Sequence, residues 1–403
     1  LDPTPLRSRI RRRTPTPAST RPDARVYLDH AATSPLRPEV RAALLDALDG
    51  PGAGNPSGLH AVARAARRLL DESRERCAAA LGVGVDEVVF TSGGTESDNL
   101  AVLGAIRRRP GPVVATAVEH VAVLEPARAS GGVVVGVDCL GRVDPAELAR
   151  VLPSDTVLVS VQLANNETGV LQPLGELEEV VRRRAPGALL HSDAVQGFAF
   201  LDPFAEAPGL DLVTLSAHKL GGPKGVGILV VRQGARARLA PVLGGGPQER
   251  GLRPGTEDVA AIAAAAVAVE LAVAERQDAR RRCRETRDRF EDAVLARVPG
   301  AQATVPRHLR VPSISHLRVA GCEAEELLLL LDRRGVCASA GAACASGALE
   351  PSHVLLAMGM DRHAARECLR FSVAPTTTAG EVERAAALLG EVADRARGAA
   401  ASA

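Results

Sequence analysis

The chain is predicted to be an α/β protein with a large, mostly parallel-sheet domain and a smaller C-terminal α/β domain. Three observations carry this expectation. From Val26 onward, short β-branched runs alternate with stretches rich in Ala, Leu, Arg and Glu, the pattern of βαβ units. Apolar residues make up 46% of the 403, ample for a sizeable core. The alternation breaks after about residue 296, at VPGAQATVP, and then resumes with fewer elements.

Residues 1–24 are rich in Arg, Pro, Ser and Thr, contain almost no core-forming side chains, and are read as a disordered basic tail. Arg-rich and poor in acids, the tail also loosely resembles an organelle transit peptide. Residues 25–296 then form the large domain. Helix formers fill 38–49 and 61–80. EVVFTS (87–92) reads as a strand, followed by a helix over 96–108. PVVATA (112–117) and GVVVGVD (132–138) are strands, and 145–152 is a helix. TVLVSVQL (156–163) leads to a helix over 174–184 and then to ALLHSDA (188–194). LVTLSA (212–217) and GILVVR (227–232) complete the strands, and an Ala-rich helical stretch covers 257–296. Residues 297–403 form the second domain, with strands near 312–319 and 367–373 and a helix near 379–398. The first residues of the large domain are expected to pack with this smaller one.

A formal net charge of +1 provides no global field for nucleic acid or a membrane surface, and no apolar run is long enough to span a bilayer. The seven cysteines are scattered and form no CxxC pair. The spacing of Cys337 and Cys344 does not suit a zinc site, so no metal is expected. This usage fits a reducing compartment, with most thiols acting as small buried hydrophobes.

Among 49 basic residues only two are lysine, Lys219 and Lys224, both in SAHKLGGPKG (216–225). Arginine stays protonated, whereas a lysine amine can lose its proton and act as a nucleophile or base. Lys219 is therefore a candidate for covalent chemistry, although a glycine turn in an Arg-biased chain also accommodates both lysines. ALLHSDAVQG places Asp193 at the end of an apolar strand, where an acid is costly unless partnered. That edge of an open α/β sheet is where ligands bind, although a helix N-cap is an equal reading. TSGGTE puts Gly93, Gly94 and Thr95 at a helix N-terminus suited to a phosphate, or to an ordinary cap. An acid on one strand end, a lysine on the next and a glycine turn for phosphate form the set that pyridoxal 5'-phosphate (PLP) requires.

Ten blocks make the resemblance specific. They are YLDHAATSPL (27–36), NPSGLH (55–60), TSGGTESDN (91–99), AVEHVAVL (117–124), LANNETGVLQP (163–173), HSDAVQ (191–196), SAHKLGGPKG (216–225), GGGPQERGLRPGT (244–256), SAGAACASG (339–347) and CLRFS (368–372). In this order the chain resembles the class V aminotransferase family and, within it, the group I (NifS/IscS-like) cysteine desulfurases. That implies a PLP-dependent transferase of fold type I. Lys219 would hold PLP as an imine and move the Cα proton, Asp193 would pair with the pyridine nitrogen, and Gln196 would bind the phenolic oxygen. His120 would stack on the ring and serve as acid and base. Gly94, Thr95, Ser216 and His218 would hold the phosphate, with Thr256 reaching in from a partner subunit. Asn166 would contact cofactor and substrate, and Arg370 the substrate carboxylate. Asn55 and Arg253 are expected near the site without an assigned role.

Cys344 lies in a loop of small residues, SAGAACASGALEPSHVL, with no bulk to shield its sulfur, as a mobile nucleophile requires. The resemblance makes it the persulfide-forming residue. It implies a cytoplasmic homodimer that converts L-cysteine to L-alanine and passes sulfur to an acceptor protein, with no membrane and no direct nucleic-acid binding. Iron–sulfur cluster assembly, tRNA thiolation and DNA phosphorothioate modification are all compatible destinations. Selenocysteine lyase, C–S lyase and aminotransferase are the alternatives on the same scaffold.

Overall fold

The computed structural model describes residues 25–341 and 351–400; the tail over 1–24 and Cys344 lie outside them. In chain order, β1 (Val26–Tyr27) is followed by α1 (Pro38–Leu48), α2 (Ala61–Leu81), β2 (Val88–Thr91) and α3 (Gly94–Arg108). Next come β3 (Val113–Thr116), α4 (Val121–Ala129), β4 (Val133–Val135), α5 (Pro145–Val151) and β5 (Leu158–Ser160). Then follow α6 (Leu174–Arg184), β6 (Leu189–Asp193), α7 (Pro203–Glu206), β7 (Leu212–Ser216) and β8 (Gly227–Val231). The remainder comprises α8 (Val259–Ala274), α9 (Arg276–Arg297), β9 (Ala301–Ala303), β10 (Ile314–Val319), α10 (Ala324–Arg333) and β11 (Val336–Cys337). The chain closes with α11 (His353–Ala357), α12 (Arg362–Arg366), β12 (Cys368–Ser372) and α13 (Ala379–Ala400).

Seven strands form the main sheet, in the order β2–β8–β7–β6–β5–β3–β4. Strands β4, β3, β5, β6 and β7 run parallel, while β8 runs antiparallel to both of its neighbours. Gly227 of β8 registers with both Thr91 and Ser216, so β2 and β7 end at the same edge. A Cβ on Gly227 would collide with the Gly93 backbone and Thr91 Oγ1, so the glycine lets the turn after β2 close over that edge.

The helices start and stop for local reasons. Pro38 opens α1, Asp144 caps α5 by accepting from Ala146 N–H at 2.9 Å, and Gly82 ends α2 at φ 67°. Helix α4 is not among the helices expected from the sequence, and Pro126 lies inside it. Pro126 has no N–H for the Ala122 carbonyl, and Asn99 Nδ2 of α3 supplies a donor at 3.2 Å instead. The single helical stretch expected over 257–296 is two helices. Glu275 ends α8, and its carboxylate takes both terminal nitrogens of Arg37 at 2.9 and 2.8 Å.

Helix α8 is buried almost all round and packs on α1 and α2 through Ala47, Ala260 and Ala263. Helix α9 packs elsewhere, with the Phe290 ring tilted against Phe371 at 4.7 Å between centroids and Glu291 bound to Arg310 and Ser315. It thus covers the second sheet, the antiparallel β12–β10–β9. Strand β1 pairs with β11, and Asp29 bridges to Ser372, stitching the start of the described chain to this later unit.

Candidate active site

Strands β3, β5, β6 and β7 all end at one edge of the main sheet, and Asp193, Ser216 and Lys219 stand at the ends of β6 and β7 there. Lys219 lies in the single helical turn after β7, which Gly221 closes at φ 74°. Its Nζ donates to the carbonyls of Ala31 and of Ala32, the latter at 2.8 Å. Gln196 Nε2 donates to the same Ala31 oxygen at 2.9 Å. Burial lowers the Lys219 amine to about 8, Arg370 adds to the effect, and Asp193 and Asp29 oppose it.

Asp193 ends β6, buried, with Oδ1 accepting from Val195 N–H at 2.9 Å. Burial raises its carboxyl above the usual range, against the Val195 amide and the nearby His120 and Lys219. His120 caps α4 by accepting from Ala122 N–H on Nδ1 at 3.1 Å. A neutral ring holding that bond carries its proton on Nε2. Burial lowers the imidazole below its ordinary value and Lys219 and His353 contribute, while Asp193 opposes the shift.

Gly94 begins α3, and a Cβ there would sit 3.1 Å from Val195 Cγ2 and 3.6 Å from Ser216 Cβ, which seats the glycine turn against the ends of β6 and β7. The first amides of α3 have no partner within the helix, so this terminus offers donors and the positive end of the dipole. Thr95 is exposed beside it, Ser216 is buried, and His218 bonds Thr33 Oγ1 through Nδ1 at 3.1 Å. Burial, with Lys219 and Lys224, lowers His218 to about 4.

Arg370 of β12 reaches the same region. Its Nη1 donates to the Asn166 carbonyl and its Nη2 to Asp29 Oδ1, each at 2.8 Å, while Nε is buried without a partner. The turn that carries Asn166 is fixed by its neighbour: Asn165 Oδ1 accepts from the amides of Glu167 and Thr168 at 2.9 and 2.8 Å. Thr256 is exposed at the end of loop 244–256. Asn55 is occupied locally, with Oδ1 accepting from Ser57 N–H at 2.9 Å.

Sequence reasoning missed Glu119, although it stands beside His120 in AVEHVAVL. It is fully buried, and Oε1 accepts from Thr116 Oγ1 at 3.0 Å and from Gln162 N–H at 2.7 Å, leaving Oε2 without a partner. Burial, reinforced by Asp193, raises its carboxyl to about 8. Its carbonyl meets His353 Nε2 at 3.0 Å. Asp29, Thr33 and Glu167 were also missed; only their long-range partners mark them, and those are invisible along the chain.

The other thiols divide clearly. Burial raises Cys77, Cys283 and Cys368 to about 12, which leaves them protonated. Cys337 pairs with Tyr27 in the small parallel ladder, and Cys139 is exposed.

Comparisons with known proteins bear on the family and the fold. The aminotransferase class-V family model matches residues 26–385. The chain is 40% identical to the cysteine desulfurase IscS of Dictyoglomus turgidum over 361 residues, 88% of this chain and 90% of that one. It is 41% identical to a cysteine desulfurase of Cereibacter sphaeroides over 382 residues, covering 93% and 97% of the two chains. A solved NifS-like protein superposes with a TM-score of 0.85 at 32% identity, over 92% of this chain and 100% of that one. With the sheet-edge lysine and acid in place and the match running nearly end to end, the chain belongs to the class-V aminotransferase family.

Proposed function

We propose that this protein is a PLP-dependent cysteine desulfurase, converting L-cysteine to L-alanine and a persulfide on Cys344 for transfer to an acceptor protein. The observation that carries the reading is Lys219, a buried amine near 8 at the same sheet edge as the buried carboxylate of Asp193. The residues suit PLP. Asp193 is a buried acid with an amide donor to Oδ1, suited to a cationic partner, and the Gly94 turn offers a helix terminus to a phosphate. Bound there, PLP supplies an electron sink at the substrate Cα.

The chain's own groups do the rest. Lys219, its amine lowered to about 8, releases its proton far more readily than an ordinary lysine and serves as base at Cα. His120, neutral with its proton on Nε2, gives and takes protons near the substrate thiol, worth about 10²–10⁴-fold. Ser216, Thr95, Gly94 and His218 bind the phosphate, and Gln196 binds the phenolic oxygen. Arg370 and Asn166 receive the substrate carboxylate, the arginine exchanging its contact with Asp29 for the ligand. The Cys344 thiolate attacks the substrate sulfur. The new S–S bond forms as the Cβ–S bond breaks, and the carbon fragment is protonated to alanine.

A homodimer belongs to this reading, with Thr256 entering the partner's site. Leu48, Leu59 and Val62 support it, since they leave apolar surface exposed, Leu59 at 91%. Among the described residues no helix is long and apolar enough to cross a membrane. A cytoplasmic location fits the buried, protonated thiols. The packing of α9 against β10 and β12 favours a smaller domain that starts near Arg276 rather than at 297.

Peptide mapping after exposure to L-cysteine, with sulfane sulfur trapped by alkylation, tests the function. The expected result is added sulfur on the Cys344 peptide, with alanine released. In C344A the sulfur disappears while the PLP absorbance remains. Alanine or pyruvate without sulfur on that peptide identifies a lyase or a transaminase instead.

A further inference from the structure

Loop 244–256, between β8 and α8, is pinned at its middle by a buried ion pair. The Glu249 carboxylate takes Arg74 Nη1 at 2.7 Å and Nη2 at 2.5 Å, and also accepts from Phe90 N–H at 2.8 Å. Arg74 spends a further hydrogen bond on the Val88 carbonyl at 2.8 Å and lies 4.7 Å from the Phe90 ring centre. The two side chains are 7% and 1% exposed, so neither charge is solvated once the other is gone. Glu249 and Arg250 both adopt left-handed backbone, at φ 45° and 58°. Non-glycine residues hold that conformation only when their surroundings force it. The loop is therefore locked to β2, whose last residue opens the glycine turn of the candidate phosphate site.

From this anchor Arg253 reaches back to that turn. Its Nε bonds Glu96 Oε1 at 3.1 Å, and Glu96 Oε2 takes the Ser92 N–H at 2.5 Å. Both side chains are about three-quarters buried, with 23% and 20% exposed. Glu96 lies in the first turn of α3, so a carboxylate sits beside the amides that would receive a phosphate. Burial works against its charge, but the Ser92 contacts and Arg253 outweigh burial and hold the carboxyl below its usual range. Two anions at one partly buried helix terminus repel each other.

We propose that Arg253 is a positioning residue for the cofactor phosphate, neutralising Glu96 so that helix α3 can accept a second anion, with the Glu249–Arg74 pair holding it in place. This rests on the PLP reading above and gives Arg253 the role that the sequence left open. A fully exposed ion pair would contribute almost nothing, but this one is largely shielded from water. The proposal requires instead that the pair matter to the phosphate.

The test uses holoenzyme dialysed to equilibrium against graded PLP, with bound cofactor read by absorbance and folding by urea midpoint. R253Q is expected to bind PLP about tenfold more weakly, the cost of one unscreened like charge near a partly buried site. E96Q alone binds at least as tightly as the parent. The E96Q/R253Q double variant recovers parental affinity, because a neutral amide in place of the carboxylate needs no counterion. Unchanged affinity in R253Q overturns the proposal. So does a double variant that stays weak, which would mean that Arg253 touches the phosphate directly. If R253Q does not fold, E96Q still decides, because weaker binding by that variant contradicts the repulsion on which the proposal depends. A parent protein that takes up no PLP overturns the cofactor reading, and this proposal with it.

Discussion

Glu119 shows how far burial alone can set a residue's chemistry. Its acid is ordinary in the unfolded chain, but in the fold it stays protonated up to about 8 because it is fully buried and sits near Asp193. Folded Glu119 therefore holds a proton that the unfolded chain releases above its ordinary value near 4.5. Its contribution to stability is fully present at acid pH and is lost as pH rises towards 8. Gln in its place keeps the Thr116 and Gln162 bonds and never ionises. E119Q should match the parent in urea titrations near pH 4.5, then become more stable as pH rises, by about 4 kcal/mol at pH 8. A difference that is flat with pH would show that Glu119 is charged in the fold. Lys219 illustrates the same physics at a residue that the sequence did single out. Lysine scarcity picked the residue, and burial set its amine near 8.

Among the elements, α8 and the loop before it carry most of the tertiary constraint. Helix α8 is chiefly alanine; it packs on α1 and α2, and Ala264, Ala265, Ala266 and Ala268 are wholly buried in the main core. Small side chains allow that close approach, and a larger one has nowhere to go. A264L should lower stability by about 1–3 kcal/mol in urea unfolding, as overpacked cores do. A neutral result would reveal slack between these helices. The Arg74–Glu249 pair ties the adjoining loop to β2. R74M leaves a buried carboxylate without its cation and should cost about 3–5 kcal/mol, measured in the same way. A cost below about 1 kcal/mol would mean that the pair is solvated in solution. The sequence carried no sign of this pair, because the two residues stand 175 positions apart.

At the scale of the whole molecule, the exposed Leu48, Leu59 and Val62 predict an assembly larger than one chain. The parent should elute as a dimer, and L59D/V62D should elute as a monomer with its helix content kept. Dimeric elution of the double variant would move the interface elsewhere. Local sequence was enough to show the strands of the main sheet, several of its helices and the candidate chemistry. β-Branched runs and helix formers act over a few residues, so the seven strands of the main sheet, the parallel core and the candidate lysine, acid and glycine turn were all legible. Helix α4, with Pro126 inside it, was not read from the sequence, and the break at Glu275 was invisible because Arg37, the partner that marks it, lies 238 residues away. Partners and charge states were settled only by tertiary structure. Lys219 meets Ala31 across 188 residues, Arg370 meets Asp29 across 341, and Arg253 meets Glu96 across 157. Such contacts exist only once the sheets close, and the same closure removes the water that would otherwise hold each group at its ordinary protonation state.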